Sequence, residues 1–145
     1  RQLGTRFSCA PADVPAAIDK LSRDAEATTA EVTQLRGRLA GMIAASFAGE
    51  GSVIAALPGD ADLLRGVAAK LAAAGRDALL AAPDETGTTV VLFRAQGSSV
   101  DCGALFKKLA AAAGGRGGGR PDRAEGRLAT RIDNWPEALA THLPV

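Results

Sequence analysis

The feature that most limits the fold of this chain is a run of glycine and arginine near its C-terminal end. Five of the six residues from Gly114 to Gly119 are glycine, and the run also contains Arg116 and Arg120. Glycine loses more backbone entropy on folding than other residues and has no side chain to pack, so it weakens helix and strand interiors. We therefore predict an irregular loop over residues 114–121, called here the glycine-arginine run.

A long helix is predicted near the other end of the chain. From Ile18 to Met42, apolar or small residues are spaced alternately by three and four positions, which is the heptad pattern of a coiled-coil seam. The seam consists of Ile18, Leu21, Ala25, Thr28, Val32, Leu35, Leu39 and Met42. We expect a helix over residues 14–47 that packs on its own domain or on a neighbouring one. An intermolecular or antiparallel coiled coil is the alternative.

Between these two features the sequence alternates between strand-like and helix-like patterns. Three short apolar or β-branched runs, bounded by proline or glycine, are typical of strands: 52–57, 77–82 and 88–95. The second and third are separated by a short turn, so we expect them to form an antiparallel hairpin. Two helices are predicted in the intervals, since Asp60 or Asp62 and then Asp101 precede apolar helical faces that a side-chain oxygen can cap.

Beyond the glycine-arginine run, we predict an edge strand over residues 125–131 and a short helix that begins at Pro136. The predicted fold class is α/β: a long N-terminal amphipathic helix, then a small domain with a mixed sheet in the order βαββα-loop-βα. The predicted domains are a helical linker over residues 1–49 and a globular domain over residues 50–145.

The net charge of +1 conceals an uneven distribution along the chain. Residues 107–131 contain seven basic and two acidic residues, a net charge of +5, whereas the rest contains ten basic and fourteen acidic residues, a net charge of −4. Such a concentration of positive charge in one segment favours an anionic partner.

The glycine-arginine run has the chemistry of a phosphate site. Glycine lets backbone N–H groups approach an anion, and arginine donates paired hydrogen bonds to phosphate oxygens. A purely structural tight connection is the alternative. The predicted nucleic-acid-binding residues are Gly115, Arg116, Gly117, Gly118, Gly119, Arg120, Lys107, Lys108 and Arg123.

Aromatic residues make up 3% of the chain. Those we place near the run, Phe106 and Trp135, are expected in the core, which favours the backbone of folded RNA over unpaired bases.

Catalytic, metal and cofactor sites are not predicted. The single histidine, His142, is expected at the surface or in packing, and Cys9 and Cys102 are expected to be small buried or part-buried residues.

No apolar run approaches the roughly 20 residues that cross a bilayer, so no membrane partner is expected. Two cysteines are too few for a disulfide scaffold, which favours a cytoplasmic protein.

Two segments together resemble a known family. Val100 to Leu105 and Gly114 to Asp122 are similar to the C-terminal domain of alanyl-tRNA synthetases, which also ends the longer alanyl-tRNA editing proteins and is related to the DHH-associated domain of phosphoesterases. The similarity extends over residues 52–142 in element order. In the phosphoesterase relatives the equivalent loop ends in Gly-His, whereas Arg120 follows Gly119 here, which favours the tRNA branch.

The resemblance implies a domain that binds the outer corner of tRNA and is non-catalytic in isolation. It also implies an upstream editing or synthetase domain, with this chain as part of a longer protein, and a possible homodimer through the heptad helix. Two alternatives stay open: a phosphate-gripping lobe of a DHH-type phosphoesterase, and an oligomerisation module that acts through the N-terminal helix.

Overall fold

The computed structural model describes residues 10–142 and contains a long helix followed by an α/β domain. A short 3-10 turn, Pro11–Asp13, leads into the first helix. The helices are α1 (Val14–Ser46), α2 (Ala61–Ala73), α3 (Cys102–Ala113) and α4 (Trp135–Ala140). The strands are β1 (Val53–Ala56), β2 (Ala78–Asp84), β3 (Gly87–Phe93), β4 (Gly115–Arg120) and β5 (Arg123–Leu128). Cys9 lies outside the described residues.

The chain divides into two compact units between Arg36 and Gly37, and α1 runs through the division. In the first unit, α1 buries Val14 but leaves the apolar residues that follow it exposed: Leu21 and Leu35 are 56% and 53% exposed, and Ile18 and Val32 are also exposed. This part of the helix therefore has an apolar face that packs on nothing within its own unit. None of the described helices has both the length and the apolar character needed to cross a membrane.

The second unit is built on a mixed five-stranded sheet, which confirms the predicted fold class. The strand order is β1-β2-β3-β5-β4, with β1 parallel to β2 and the remaining pairs antiparallel. The predicted hairpin is present as β2 and β3, which pair from Ala78 with Phe93 to Asp84 with Gly87.

Two predictions about the end of the sheet are wrong. The glycine-arginine run is not an irregular loop, because residues 115–120 form strand β4 at the edge of the sheet. The strand that follows, β5, is not an edge strand, because it lies between β3 and β4.

Close packing explains why glycine forms a strand here. An added Cβ at Gly117 or Gly119 would lie under 3.0 Å from backbone atoms of β5, and at Gly117 it would also lie 2.9 Å from the Phe106 ring. Gly117 has a φ of 145°, which residues with a side chain rarely adopt. The absence of side chains thus lets β5 and the Phe106 ring approach β4, and this packing outweighs the entropic cost of ordering glycine.

Helices cover both faces of the sheet because its strands alternate apolar residues between two cores. On one face, α2 and the end of α1 pack against residues such as Leu80, Val91 and Phe93. On the other face, α3 and α4 pack against residues such as Leu79, Val90 and Leu128. Both faces of the central strands are therefore buried.

Specific polar contacts fix the helices in place. Leu63 N–H donates to Asp60 and Ala104 N–H to Asp101, at 2.9 and 2.8 Å, so aspartates cap α2 and α3 as predicted. Trp135, which is fully buried like Phe106, donates its indole N–H to the Leu79 carbonyl at 2.8 Å. The expectation that both aromatics belong to the core is confirmed.

Candidate nucleic-acid interface

One face of β5 and β4 forms a surface rich in arginine beside helix α2. Ala124 and Leu128 point into the core under α3, so the alternate residues of β5 point to the face on which α2 packs. The register aligns these residues with neighbours on β3 and β4 in three rows. The first row is Phe93, Arg123 and Arg120; the middle row is Val91, Glu125 and Gly118; the last row is Thr89, Arg127 and Arg116. We call this surface, together with Arg65 of α2, the arginine face.

Arg65 connects α2 to the middle row. Its Nε donates to Glu125 Oε2 at 2.6 Å, and its guanidinium also pairs with Asp62 one turn earlier in α2. The hydrogen bond to Glu125 raises the pKa of Arg65. Arg65 thus holds the one carboxylate of the three rows in a fixed place and offsets its charge.

Arg127 is held in the last row by three acceptors. It donates to Thr89 Oγ1 at 3.1 Å, and to Asp84 Oδ1 and Thr86 Oγ1 at 2.6 Å each. The hydrogen bond from Arg127, assisted by the N–H and hydroxyl of Thr86, holds the pKa of the Asp84 carboxyl well below its usual range. The guanidinium of Arg127 is therefore occupied by hydrogen bonds within the domain.

The other three arginines of the rows are more available to an external anion. Arg120 forms an ion pair of 3.4 Å with Asp122, and its side chain is 68% exposed. Arg116 and Arg123 are exposed and make no ion pair within residues 10–142. Arginine side chains that are not already paired can donate bidentate hydrogen bonds to a phosphate without breaking an internal contact.

Shallow clefts run along the arginine face. A cleft of about 410 Å³ at the first row is lined by Arg65, Phe93, Gly118, Gly119, Arg120, Arg123, Ala124 and Glu125. A second cleft, of about 380 Å³, is lined by Ala61, Arg65, Thr89, Val90, Val91, Arg116, Glu125, Gly126 and Arg127. Arg65 and Glu125 belong to both clefts, so the two form a groove beside α2 along the strands.

The predicted binding residues are only partly brought together. Arg116, Gly118, Arg120 and Arg123 share the arginine face. Gly115, Gly117 and Gly119 alternate with them and point towards α3, where close packing accounts for them. Lys107 and Lys108 are exposed on α3, which packs on the opposite face of the sheet. The positive segment of the sequence is thus divided between two sides of the domain.

Several residues of the arginine face were not among the predicted binding residues. Arg65 stands 60 positions from its partner Glu125, and no local pattern links them. Phe106 packs on the run as predicted, but Phe93 lies in the cleft of the first row, so the prediction that Phe106 and Trp135 are the only aromatics near the run is incomplete. Phe93 lies on this face because strand β3 pairs antiparallel with β5. The sequence pattern does not indicate that pairing.

The part of the chain that the structure describes has no cluster of metal ligands, and its one cysteine is buried. Within residues 10–142, no three His, Cys, Asp or Glu side chains are grouped to hold a metal ion. Cys102 is buried as predicted, and burial raises the pKa of its thiol to about 11. A neutral, buried thiol is a weak nucleophile and a weak metal ligand.

Comparisons with known proteins match most of the chain. A sequence profile of the DHHA1 domain matches residues 49–142. The alanine–tRNA ligases of two strains of Thermus thermophilus are each 34% identical over 138 residues, which cover 87% of this chain. The chain spans only 15% of the length of these relatives.

The fold also matches a solved structure. The crystal structure of the C-Ala domain from Aquifex aeolicus alanyl-tRNA synthetase aligns with a TM-score of 0.55 and 20% sequence identity. The alignment covers 62% of this chain and 85% of that chain. At this level of identity the likeness concerns the fold alone.

Proposed function

This chain belongs to the DHHA1 domain family, and from this membership and the arginine face we propose that it is a tRNA-binding C-terminal domain. The parent protein would be an alanyl-tRNA synthetase or an alanyl-tRNA editing protein. The alanine–tRNA ligases that match 87% of the chain support this choice. In such a protein the domain binds tRNA in the cytoplasm, while an upstream synthetase or editing domain performs the chemistry.

The observation that carries the proposal is the arrangement of Arg116, Arg120 and Arg123 on one exposed face. Arg120 and Arg123 are cross-strand neighbours in the first row, and Arg116 lies in the last row of the same face. Arg120 lies four positions after Arg116 along β4, which is a distance of roughly 13 Å in an extended strand. The face can therefore hold more than one phosphate of a nucleic-acid backbone.

The charge pattern favours a folded RNA backbone as the main contact. Phosphate groups supply most of the affinity of charged surfaces for nucleic acids, and arginine recognises them without regard to sequence. Folded RNA is recognised largely through its shape and its phosphate and ribose groups. Lys107 and Lys108, on the other face, add to the general positive field and are not expected to touch the same stretch of backbone.

Salt-dependent tRNA binding tests the proposal. Substituting Arg116→Ala together with Arg120→Ala is expected to weaken tRNA binding and to reduce the slope of log Kd against log salt by about two. The matched control is Lys107→Ala with Lys108→Ala, which removes the same charge from the opposite side of the sheet. We expect a clearly smaller effect from the control pair. Equal losses in the two double variants, or none in the arginine variant, would overturn the assignment.

The apolar face of α1 supports a second role, in self-association. The large exposed apolar side chains of the described residues all lie on this helix: Ile18, Leu21, Val32, Leu35, Leu39 and Met42. These residues follow the heptad seam, and a seam of this kind is buried when a second helix packs against it. We propose that α1 forms a coiled coil in a homodimer.

Sedimentation of the whole chain tests the coiled coil. Leu21→Gln with Leu35→Gln places two polar residues in the seam and is expected to shift a dimer to a monomer. Ala27→Gln with Ala30→Gln changes positions outside the seam and should leave the dimer intact. A parent chain that sediments as a monomer at high concentration contradicts the second role and leaves the tRNA proposal unaffected.

A further inference from the structure

Gly118 is a strand glycine that the fold itself does not require. At Gly115, Gly117, Gly119 and Gly126, an added Cβ would lie under 3.0 Å from backbone atoms of the neighbouring strand. At Gly118, an added Cβ would meet no atom within 4 Å, and its φ is not positive. Among the glycines of the described strands, Gly118 alone has neither a close neighbour at the Cβ position nor a positive φ to explain the lack of a side chain.

The missing side chain leaves an open niche in the arginine face. Gly118 is half-buried, and it lines the cleft beside the first row. Its cross-strand neighbour is Glu125, so the niche opens directly beside the carboxylate. A glycine whose Cβ position is empty inside a cleft allows a flat ligand to approach the backbone closely.

Groups suited to a nucleotide surround the niche. Arg120 and Arg123 lie next to each other in the first row, and Phe93 completes that row as an apolar wall. Glu125 is fixed by the 2.6 Å hydrogen bond from Arg65, which occupies one of about four lone-pair positions of the carboxylate. The cleft of about 410 Å³ is within the size range of small-molecule sites.

We propose that this niche is a subsite for one nucleotide of the bound RNA. Its base lies over Gly118 and donates an amino hydrogen to Glu125, while Arg120 and Arg123 hold its phosphate. A carboxylate accepts hydrogen bonds and cannot donate them. With position 4 of the ring facing Glu125, the site therefore favours a base that presents an amino group there over uracil, which presents the acceptor O4. The inference rests on the proposed function, since the arginine face brings the RNA to the niche.

Cytidine and uridine 5′-monophosphates are the sharpest probes, because they share the ribose and phosphate and differ at position 4 of the ring, amino against carbonyl, and in the proton that uracil carries on N3. We expect the 145-residue chain to bind the cytidine nucleotide roughly tenfold more tightly, as a hydrogen bond to a charged acceptor would give. The titration is followed through the backbone amide signals of Gly118 and Arg123. The cytidine nucleotide should also compete with tRNA for the chain.

Two variants separate the niche from the rest of the face. Glu125→Gln removes the negative charge and is expected to bring the ratio of the two affinities close to one, whereas Glu50→Gln, in an exposed loop, should preserve it. Gly118→Val fills the niche and is expected to weaken both nucleotides at least fivefold, with Gly118→Ala having an intermediate effect. Unchanged circular dichroism and thermal unfolding show that the Gly118 variants keep their fold.

Three results would overturn the subsite: equal affinity of the parent chain for the two nucleotides, unchanged binding by a folded Gly118→Val variant, or cytidine binding that does not compete with tRNA. Each of these three results is compatible with salt-dependent tRNA binding through Arg116 and Arg120. Failure of the subsite is therefore distinguishable from failure of the proposed function, which would appear as tRNA binding unaffected by the arginine substitutions.

Discussion

Arg127 reaches from strand β5 to Asp84 at the end of β2, where its Nη2 donates a 2.6 Å hydrogen bond to Asp84 Oδ1. The same carboxylate oxygen accepts from the N–H and hydroxyl of Thr86 in the turn between β2 and β3, at 2.8 and 2.9 Å. One carboxylate therefore joins the hairpin turn to the strand that carries the arginine face. The stability of this connection depends on the ionised form of Asp84.

The first prediction concerns the acid stability of the chain. The pKa of Asp84 is lowered from its ordinary value of 3.8, so its stabilising effect is complete above that pH and is lost as the pH falls towards the lower folded pKa. We expect Asp84→Asn to lower the Tm at pH 7 and to reduce the fall in Tm between pH 5 and pH 2. Asp19→Asn, on the surface of α1, is the control. Parallel curves of Tm against pH for the parent and Asp84→Asn would contradict the prediction.

The second prediction contrasts two neighbouring glycines of β4. In Gly119→Ala the new methyl group would overlap the Arg123 carbonyl and the backbone of Ala124, and overpacking of this kind costs about 1–3 kcal/mol. In Gly118→Ala the methyl group meets nothing, so we expect no loss of stability or a gain of up to about 1 kcal/mol from the smaller entropy of the unfolded chain. Urea unfolding of the two variants measures the difference. Equal free energies of unfolding would show that β4 does not pack closely on β5.

The same two glycines show how far the sequence predicts this fold. The periodic patterns of α1 and of the β2–β3 hairpin depend on local residues, and the structure confirms them within one or two residues at most ends. The strand formed by residues 115–120 was missed because glycine disfavours a strand unless a neighbour packs against its bare backbone. That neighbour is β5, which follows after the two residues Pro121 and Asp122, together with Phe106 of α3. The glycines carry no side-chain pattern from which this pairing could be predicted.

The candidate site shows the same limit. Arg116, Arg120 and Arg123 are recognisable by residue type as candidates for phosphate binding, and pairing of β4 with β5 places them on one face. Arg65 and Phe93 join them only because α2 packs on that face and β3 pairs with β5. The opposite position of Lys107 and Lys108 likewise depends on which face α3 covers.

The third prediction concerns the buried carboxylate of Asp77. The residue is 8% exposed, and its oxygens accept from the Ala95 N–H and the Ser98 hydroxyl at 2.8 Å and from the Ser52 hydroxyl at 3.2 Å. Asp77→Ala leaves these donors without their acceptor, so we expect the free energy of unfolding to fall by at least about 2 kcal/mol. Asp77→Asn keeps one acceptor oxygen and should cost less. A loss below about 0.5 kcal/mol in Asp77→Ala, measured by urea unfolding, would show that water replaces the carboxylate at little cost.

The fourth prediction concerns the reactivity of Cys102. Burial, assisted by the negative charge of Asp77, raises the pKa of this thiol from 9.0 to about 11. At pH 8 the thiolate fraction is then about 100-fold lower than in the unfolded chain, and the side chain is also fully buried. In a Cys9→Ser variant, where Cys102 is the remaining thiol, we expect iodoacetamide to react at least about 100-fold more slowly with the folded chain than in urea. A difference smaller than tenfold would mean that the N-terminal end of α3 opens often enough to expose the thiol, and would therefore contradict the close packing of Gly103 against β4.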